Sequence, residues 1–230
     1  MKIFAIVCTR SREDITQTTD DLVHFFARCG IQVLLIAGAN SIFKAYKGAF
    51  EKSQANPEDI IIMCHDDIEI REKPEIFVEK LTTTLDRDML AFAGPAGTTF
   101  LGQDAVWWDQ ERWKQGLHRG KVTHVDPEKG EYLTQYGPPD DVVALDGLFL
   151  AAKADVIRAI GLSKPDFFPG EWDFYDIHYT TTAYLKGYTN TILDIDIVHH
   201  SIGELVGRDS WHKNRAAFIE NTKLPLRIFK

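Results

Sequence analysis

The chain of 230 residues predicts an α/β fold, with a mostly parallel central sheet flanked by helices and a small mixed β region in the second half. Three observations carry that expectation. Apolar runs of strand length alternate with stretches of helical periodicity from Ile3 to Ala93. The runs are continuous rather than alternating, as in strands covered on both faces. Capping and stopping residues fall between them, where helices must begin and end.

Ile3 to Cys8 is the first such run. Leu22, Phe25, Phe26 and Cys29 then recur at helical spacing, and Gly30 is a natural stop. Ile31 to Ile36 reads as the second strand, and Ser41 caps a helix with Phe43, Tyr46 and Phe50 on one face. Ile60 to Cys64 is the third strand and runs into His65-Asp66-Asp67. Pro74 opens a helix with Phe77 and Leu81 inward, and a short strand follows from Met89 to Ala93. The β-α-β-α-β-α-β order implies parallel neighbours joined by right-handed crossovers.

After Ala93 the pattern changes. Gly94 to Gly97 reads as a turn, followed by a stretch containing Trp107, Trp108 and Trp113. Lys121 to Val125 and Glu131 to Gln135 form a hairpin around Asp126 to Gly130. Val142 to Leu145 is a strand ending at Asp146-Gly147, and Ala154 to Ile160 is a helix. Phe174 to Lys186 is a helix stopped by Gly187, Thr189 to Val198 is the last strand, and the tail from Ser210 is helical. With no repeat, low-complexity tract or long linker, residues 1–230 are expected to form one domain.

Composition limits the functions available. Hydrophobic residues make up 44%, enough for a buried core. Against 26 Lys+Arg stand 34 Asp+Glu, a formal charge of −8 that repels phosphate backbones, so nucleic acid is not an expected partner. Cys8, Cys29 and Cys64 have no zinc or disulfide spacing and read as buried thiols in a reducing compartment. The apolar run beginning at Ile3 is too short for a signal core, and none approaches the ~20 residues of a membrane span. The expected location is cytoplasmic, without a transmembrane segment.

Ligands of an open parallel sheet gather at the carboxyl ends of its strands. Three polar clusters fall at predicted strand ends: His65-Asp66-Asp67, Asp146-Gly147 and His199-His200-Ser201. Glu171-Trp172-Asp173, with Asp176, opens a predicted helix. Carboxylate and imidazole together suit a divalent cation, Mn²⁺ or Mg²⁺, whose remaining positions go to a nucleotide diphosphate. Asp67 and His199 are the candidate metal ligands. Each residue also has a plain alternative: paired Asp residues form turns and caps, Asp176 suits the first turn of a helix, and Asp146 precedes a turn-forming Gly147. Trp107 and Trp108 offer flat faces for a sugar, or simply core. Thr9 and Arg10, at the first strand end, are candidate nucleotide contacts together with Asp66.

His65-Asp66-Asp67-Ile68 after an apolar strand resembles the strand-terminal acidic motif of glycosyltransferases with the GT-A fold, and more narrowly the bacterial family-2-like glycosyltransferases. Gly94-Pro95-Ala96-Gly97 with Trp107-Trp108 is similar to that family's glycine turn and tryptophan segment. Leu145-Asp146-Gly147-Leu148-Phe149-Leu150-Ala151 resembles its Asp-Gly-x-Phe strand, Phe174 to His178 leading to Gly187-Tyr188 its base-bearing helix, and His199-His200-Ser201-Ile202-Gly203 its His-x-Ser segment. The motifs follow the family's order over nearly the whole chain. Two positions depart from it: His65 stands where the commoner form has Asp, and His178 where many relatives carry a carboxylate.

The resemblance implies an inverting, metal-dependent transfer of a sugar from a UDP- or GDP-linked donor to an acceptor hydroxyl. Asp176 would be the base, Asp67 and His199 the metal ligands, and Asp146, Gly147, Trp107, Trp108, Glu171 and Asp173 the sugar and acceptor contacts. A glycan or lipid-linked acceptor of a bacterial glycan pathway fits this picture. Residues 1–100 would form the nucleotide-binding half and 101–230 the acceptor half. The alternatives are a non-catalytic nucleotide-sugar or carbohydrate-binding module, or a sugar nucleotidyltransferase; the latter usually needs a glycine-rich phosphate loop, and Cys8 to Arg12 holds no glycine. No P-loop or nucleophile-elbow motif occurs, which disfavours P-loop and serine hydrolases.

Overall fold

A computed structural model describes residues 1–9, 16–201 and 209–228. The expected alternation opens the chain: β1 (Ile3–Cys8), α1 (Gln17–Arg28), β2 (Gln32–Ile36), α2 (Ile42–Ser53) and β3 (Ile60–Cys64). Thr16 and Ser41 cap the two helices by accepting the amides of Thr19 and Lys44. After β3 come β4 (Ile68–Ile70), α3 (Pro74–Leu85), β5 (Leu90–Gly94), β6 (Ala96–Thr98), β7 (Phe100–Leu101) and α4 (Gln110–Lys114). The second half adds β8 (His118–Asp126), β9 (Gly130–Gly137), β10 (Asp141–Val142), β11 (Ala144–Leu145), β12 (Phe149–Lys153), α5 (Ala154–Ile160) and α6 (Tyr175–Leu185). β13 (Thr189–Ile192), β14 (Ile197–His199), α7 (Asp209–Asn221) and β15 (Leu226–Arg227) complete the described chain.

Seven strands form the central sheet in the order β10-β13-β5-β12-β3-β1-β2. β1 lies parallel to both β2 and β3, and β13 lies parallel to β5. β12 enters antiparallel between β3 and β5, pairing Phe149 with Cys64 and Ala151 with Ala93. The sheet is therefore mixed, with β1, β2, β3, β5 and β13 sharing one direction. β1, β3 and β5 are almost wholly buried, which is why their sequences are apolar without alternation.

A second sheet, β11-β6-β8-β14-β4 with β9 on β8, stands beside the first; β8, β9, β11 and β14 supply the mixed region expected of the second half, and β4 and β6 join it from the first hundred residues. Several local expectations are corrected by it. The expected turn at Gly94 to Gly97 includes the start of β6, which pairs with β8. The expected strand Thr189 to Val198 is two strands, β13 in the first sheet and β14 in the second. The expected strand Val142 to Leu145 is likewise divided between the sheets as β10 and β11. Short strands crossing from sheet to sheet place several chain segments at one point, where β3, β12 and β14 meet. Cys8 and Cys64 are buried, Cys29 is half-buried, and no disulfide joins any two of them.

Candidate active site

The site is assembled by backbone pairing. β3 ends at Cys64, and the next amide, His65 N–H, donates to Leu148 O at 3.0 Å, bringing Asp146-Gly147 beside the strand end. β14 runs antiparallel to β4 with His199 opposite Ile68, and His200 N–H donates to Asp67 O at 2.8 Å. α6 starts against the same point, because Gly147 N–H donates to Asp176 Oδ2 at 3.0 Å. Thr19 Oγ1 donates to Asp66 O at 3.1 Å and ties the start of α1 to the motif.

His65, Asp67 and His199 converge. His199 Nε2 lies 3.4 Å and His65 Nδ1 3.7 Å from Asp67 Oδ1. One ligand atom from each lies within 4.8 Å of the others. His65 and Asp67 lie in the short bend between β3 and β4, and that bend turns both side chains toward His199. Burial pushes the Asp67 carboxyl up, but the hydrogen bond and charges of His199 and His65 outweigh it and hold the group at about 2. Burial lowers His199, and Asp67 more than reverses that, so its net shift is upward. Asp67 Oδ1 is a buried oxygen whose facing groups are the imidazole nitrogens of His199 and His65, at 3.4 and 3.7 Å. An ionised carboxylate oxygen facing two imidazole nitrogens is the mixed oxygen and nitrogen donor set that a divalent ion such as Mn²⁺ accepts. The donor set therefore fits a divalent ion. His200 is exposed and turns elsewhere, with Nε2 3.3 Å from Glu69 Oε2.

Asp176 lies in the first turn of α6. Its carboxyl is pushed up to about 7, by burial first and by the Asp146 charge second, with the amides of Ile177 and Gly147 opposing. A carboxyl with that value can take up a proton near neutral pH. The helix begins from Phe174, a non-glycine residue in left-handed geometry at φ 69°. Phe174 is held there by ring contacts with Trp211 and Phe218, at 5.6 and 5.5 Å between centroids. Gly147 has no room for a side chain, since a Cβ there would lie 2.5 Å from Tyr175 Oη and 2.9 Å from Asp176 Cβ. Asp146 Oδ1 accepts from Leu148 N–H at 2.9 Å, and its charge is felt at both Asp176 and His199.

The remaining expected contacts lie as follows. Thr9 is buried, and its N–H donates to Ile36 O at 3.0 Å. Arg10 lies outside the described residues, as do Ile202 and Gly203. Trp107 is 2% exposed and packs on Trp108, His118 and Tyr136, so it offers no open face to a sugar. Trp108 is half-buried and packs on Trp211. Glu171 pairs with Lys164 at 2.8 Å, and buried Asp173 accepts from Ser210 and anchors α7. His178, the second departure, packs on Phe168 and is pushed down to about 4 by burial. Tyr175, not singled out in the sequence, lies 3.0 Å from His65 Nε2 and donates to Gly147 O at 2.8 Å. His124, also missed, sits opposite His199 on β8. No helix among the described residues is long and apolar enough to cross a membrane.

Comparison with known proteins agrees with this architecture. Over 191 residues the chain is 25% identical to the streptomycin biosynthesis protein StrF of Streptomyces griseus, covering 80% of this chain and 62% of that protein. The crystal structure of GalNAc-T7 with UDP, GalNAc and Mn²⁺ superposes with a TM-score of 0.60 at 9% identity, over 96% of this chain and 48% of that one. At that identity the likeness is one of fold. The chain thus spans less than two-thirds of either relative's length. Residues 5–222 match the profile of the Glycosyltransferase like family, and the chain belongs to that family.

Proposed function

We propose that the protein transfers a sugar from a nucleotide-diphosphate donor to an acceptor hydroxyl with inversion. The observation that carries this reading is the placement of a carboxyl raised to about 7, Asp176, on the Asp146-Gly147 turn next to the Asp67, His65 and His199 cluster. Asp176 would take the proton of the acceptor hydroxyl as its oxygen bonds to the anomeric carbon and the bond from that carbon to the diphosphate breaks. Asp146 would hydrogen-bond a sugar hydroxyl. Asp67, His65 and His199 would hold a divalent cation, and their mix of imidazole and carboxylate favours Mn²⁺ over Mg²⁺. When bound, that ion would neutralise charge on the leaving diphosphate. Residues 1–100, with Thr9, Arg10 and Asp66, would bind the donor nucleotide, and 101–230 the acceptor.

Family membership and the fold shared with a UDP- and Mn²⁺-bound transferase support the reading and select the first ligands to try. Calorimetric titration with UDP and GDP, each with and without Mn²⁺, tests it alongside Asp67→Ala. The expected result is metal-dependent binding of one nucleotide, abolished in the variant. Absence of binding under every condition would leave a non-catalytic module of the same fold.

A further inference from the structure

The hydrogen-bond chain behind the cluster has a direction, and that direction fixes a tautomer. Gly147 O can only accept and takes the phenolic proton of Tyr175 at 2.8 Å, while the neighbouring Tyr46 hydroxyl donates its own proton to Cys64 O. His65 Nε2, 3.0 Å from the same hydroxyl oxygen, must then be the donor. In the neutral ring this leaves the lone pair on Nδ1, the atom 3.7 Å from Asp67 Oδ1. The opposite tautomer would aim an N–H at that carboxylate and put a proton where a cation would otherwise sit.

The hydroxyl is itself held in place. Tyr175 is 5% exposed, with its ring edge-on to Tyr46 and Phe43 at 5.6 and 6.5 Å between centroids. Gly147 lacks the Cβ that would lie 2.5 Å from Tyr175 Oη and block its approach to the carbonyl.

We propose that Tyr175 is a positioning residue of the cation site: its hydroxyl accepts from His65 Nε2 and holds the ring with the Nδ1 lone pair turned toward Asp67 and His199. This rests on the reading of the three residues as a cation site. Partners of this kind usually change metal affinity by roughly 10–100-fold when removed.

Tyr175→Phe tests it, because it keeps the ring in its aromatic pocket and removes one oxygen. Mn²⁺ alone is the probe, followed by electron paramagnetic resonance, with the His65 tautomer read from imidazole ¹⁵N shifts and folding from the melting curve. The expected result is Mn²⁺ binding weakened about tenfold, with His65 shifts leaving the Nε2–H pattern. In a His65→Ala background the same substitution should have no further effect on Mn²⁺ affinity. Equal binding and unchanged shifts in Tyr175→Phe would overturn the proposal while leaving the cation site standing. So would an equal loss with and without His65, which would mean that the oxygen acts through packing. Wild-type protein that takes up no Mn²⁺ would remove the cation site and this role with it.

Discussion

Asp176 Oδ2 accepts the amide proton of Gly147 at 3.0 Å, which fixes the carboxyl on the turn that begins with Asp146. Burial and the Asp146 charge keep Asp176 protonated up to about pH 7. A base must be ionised to act, so kcat/KM should fall as pH drops through about 7. Asp146→Asn removes the second cause of the shift and should move this acid limb to lower pH. Asp176→Asn should lower kcat by about 10²–10⁴-fold while donor binding persists. An acid limb that stays in place in Asp146→Asn would separate the two carboxyls.

The same carboxyl should be visible in stability. Its value rises on folding from 3.8 to about 7, so below 3.8 both states hold the proton and no cost arises. Between 3.8 and about 7 the unfolded chain loses its proton while the folded chain retains it, so stability falls as pH rises and the full cost stands above about 7. Asp176→Asn cannot ionise. Its melting temperature relative to wild type, measured in chelator, should therefore climb from pH 4 to pH 8. A difference that does not vary with pH would contradict the buried, raised carboxyl.

Much of this was legible beforehand because local rules decided it. The strands β1, β2, β3 and β5 announce themselves as apolar runs, and Ser41 and Gly30 mark helix ends by cap chemistry. β12 was legible as a strand only through the Asp-Gly-x-Phe resemblance, and its antiparallel place between β3 and β5 was not, because that depends on pairing with strands far away in the chain. The division of 189–199 into β13 and β14 escaped for the same reason, since the two parts pair in different sheets. Asp67, His199, Asp146 and Asp176 were all singled out in sequence, and the fold brings them together. Tyr175 was missed because a buried tyrosine beside apolar residues looks like core until its hydroxyl is seen against His65.

Gly147 has a steric reason to be glycine. A methyl there would sit 2.5 Å from Tyr175 Oη and 2.8 Å from Cζ, on a buried ring that has nowhere to retreat. Gly147→Ala should cost about 1–3 kcal/mol by overpacking. It should also displace Asp176 and depress turnover. Denaturant unfolding and a transfer assay check both effects, and a fully stable, fully active variant would show that the turn yields easily.

The two adjacent histidines should behave differently. His199 is buried beside Asp67, whereas His200 is exposed and directed at Glu69. His199→Ala should weaken Mn²⁺ binding by about tenfold or more, a loss at least as large as that of an outer partner. His200→Ala should leave the affinity nearly unchanged. Parallel Mn²⁺ titrations decide the point, and the reverse ranking would move the site onto the other side of β14.

Trp107 separates packing from recognition. Its sequence position suited a sugar platform, but its ring is 2% exposed and enclosed by Trp108, His118 and Tyr136. A tryptophan so enclosed contributes through dispersion and burial, and Trp107→Ala should destabilise the protein by about 3–5 kcal/mol. With the variant held folded at low temperature, KM for the acceptor should stay near wild type, because the ring has no face to give a sugar. A variant of normal stability with a raised acceptor KM would mean that the segment opens on binding and that the ring turns outward to meet the substrate.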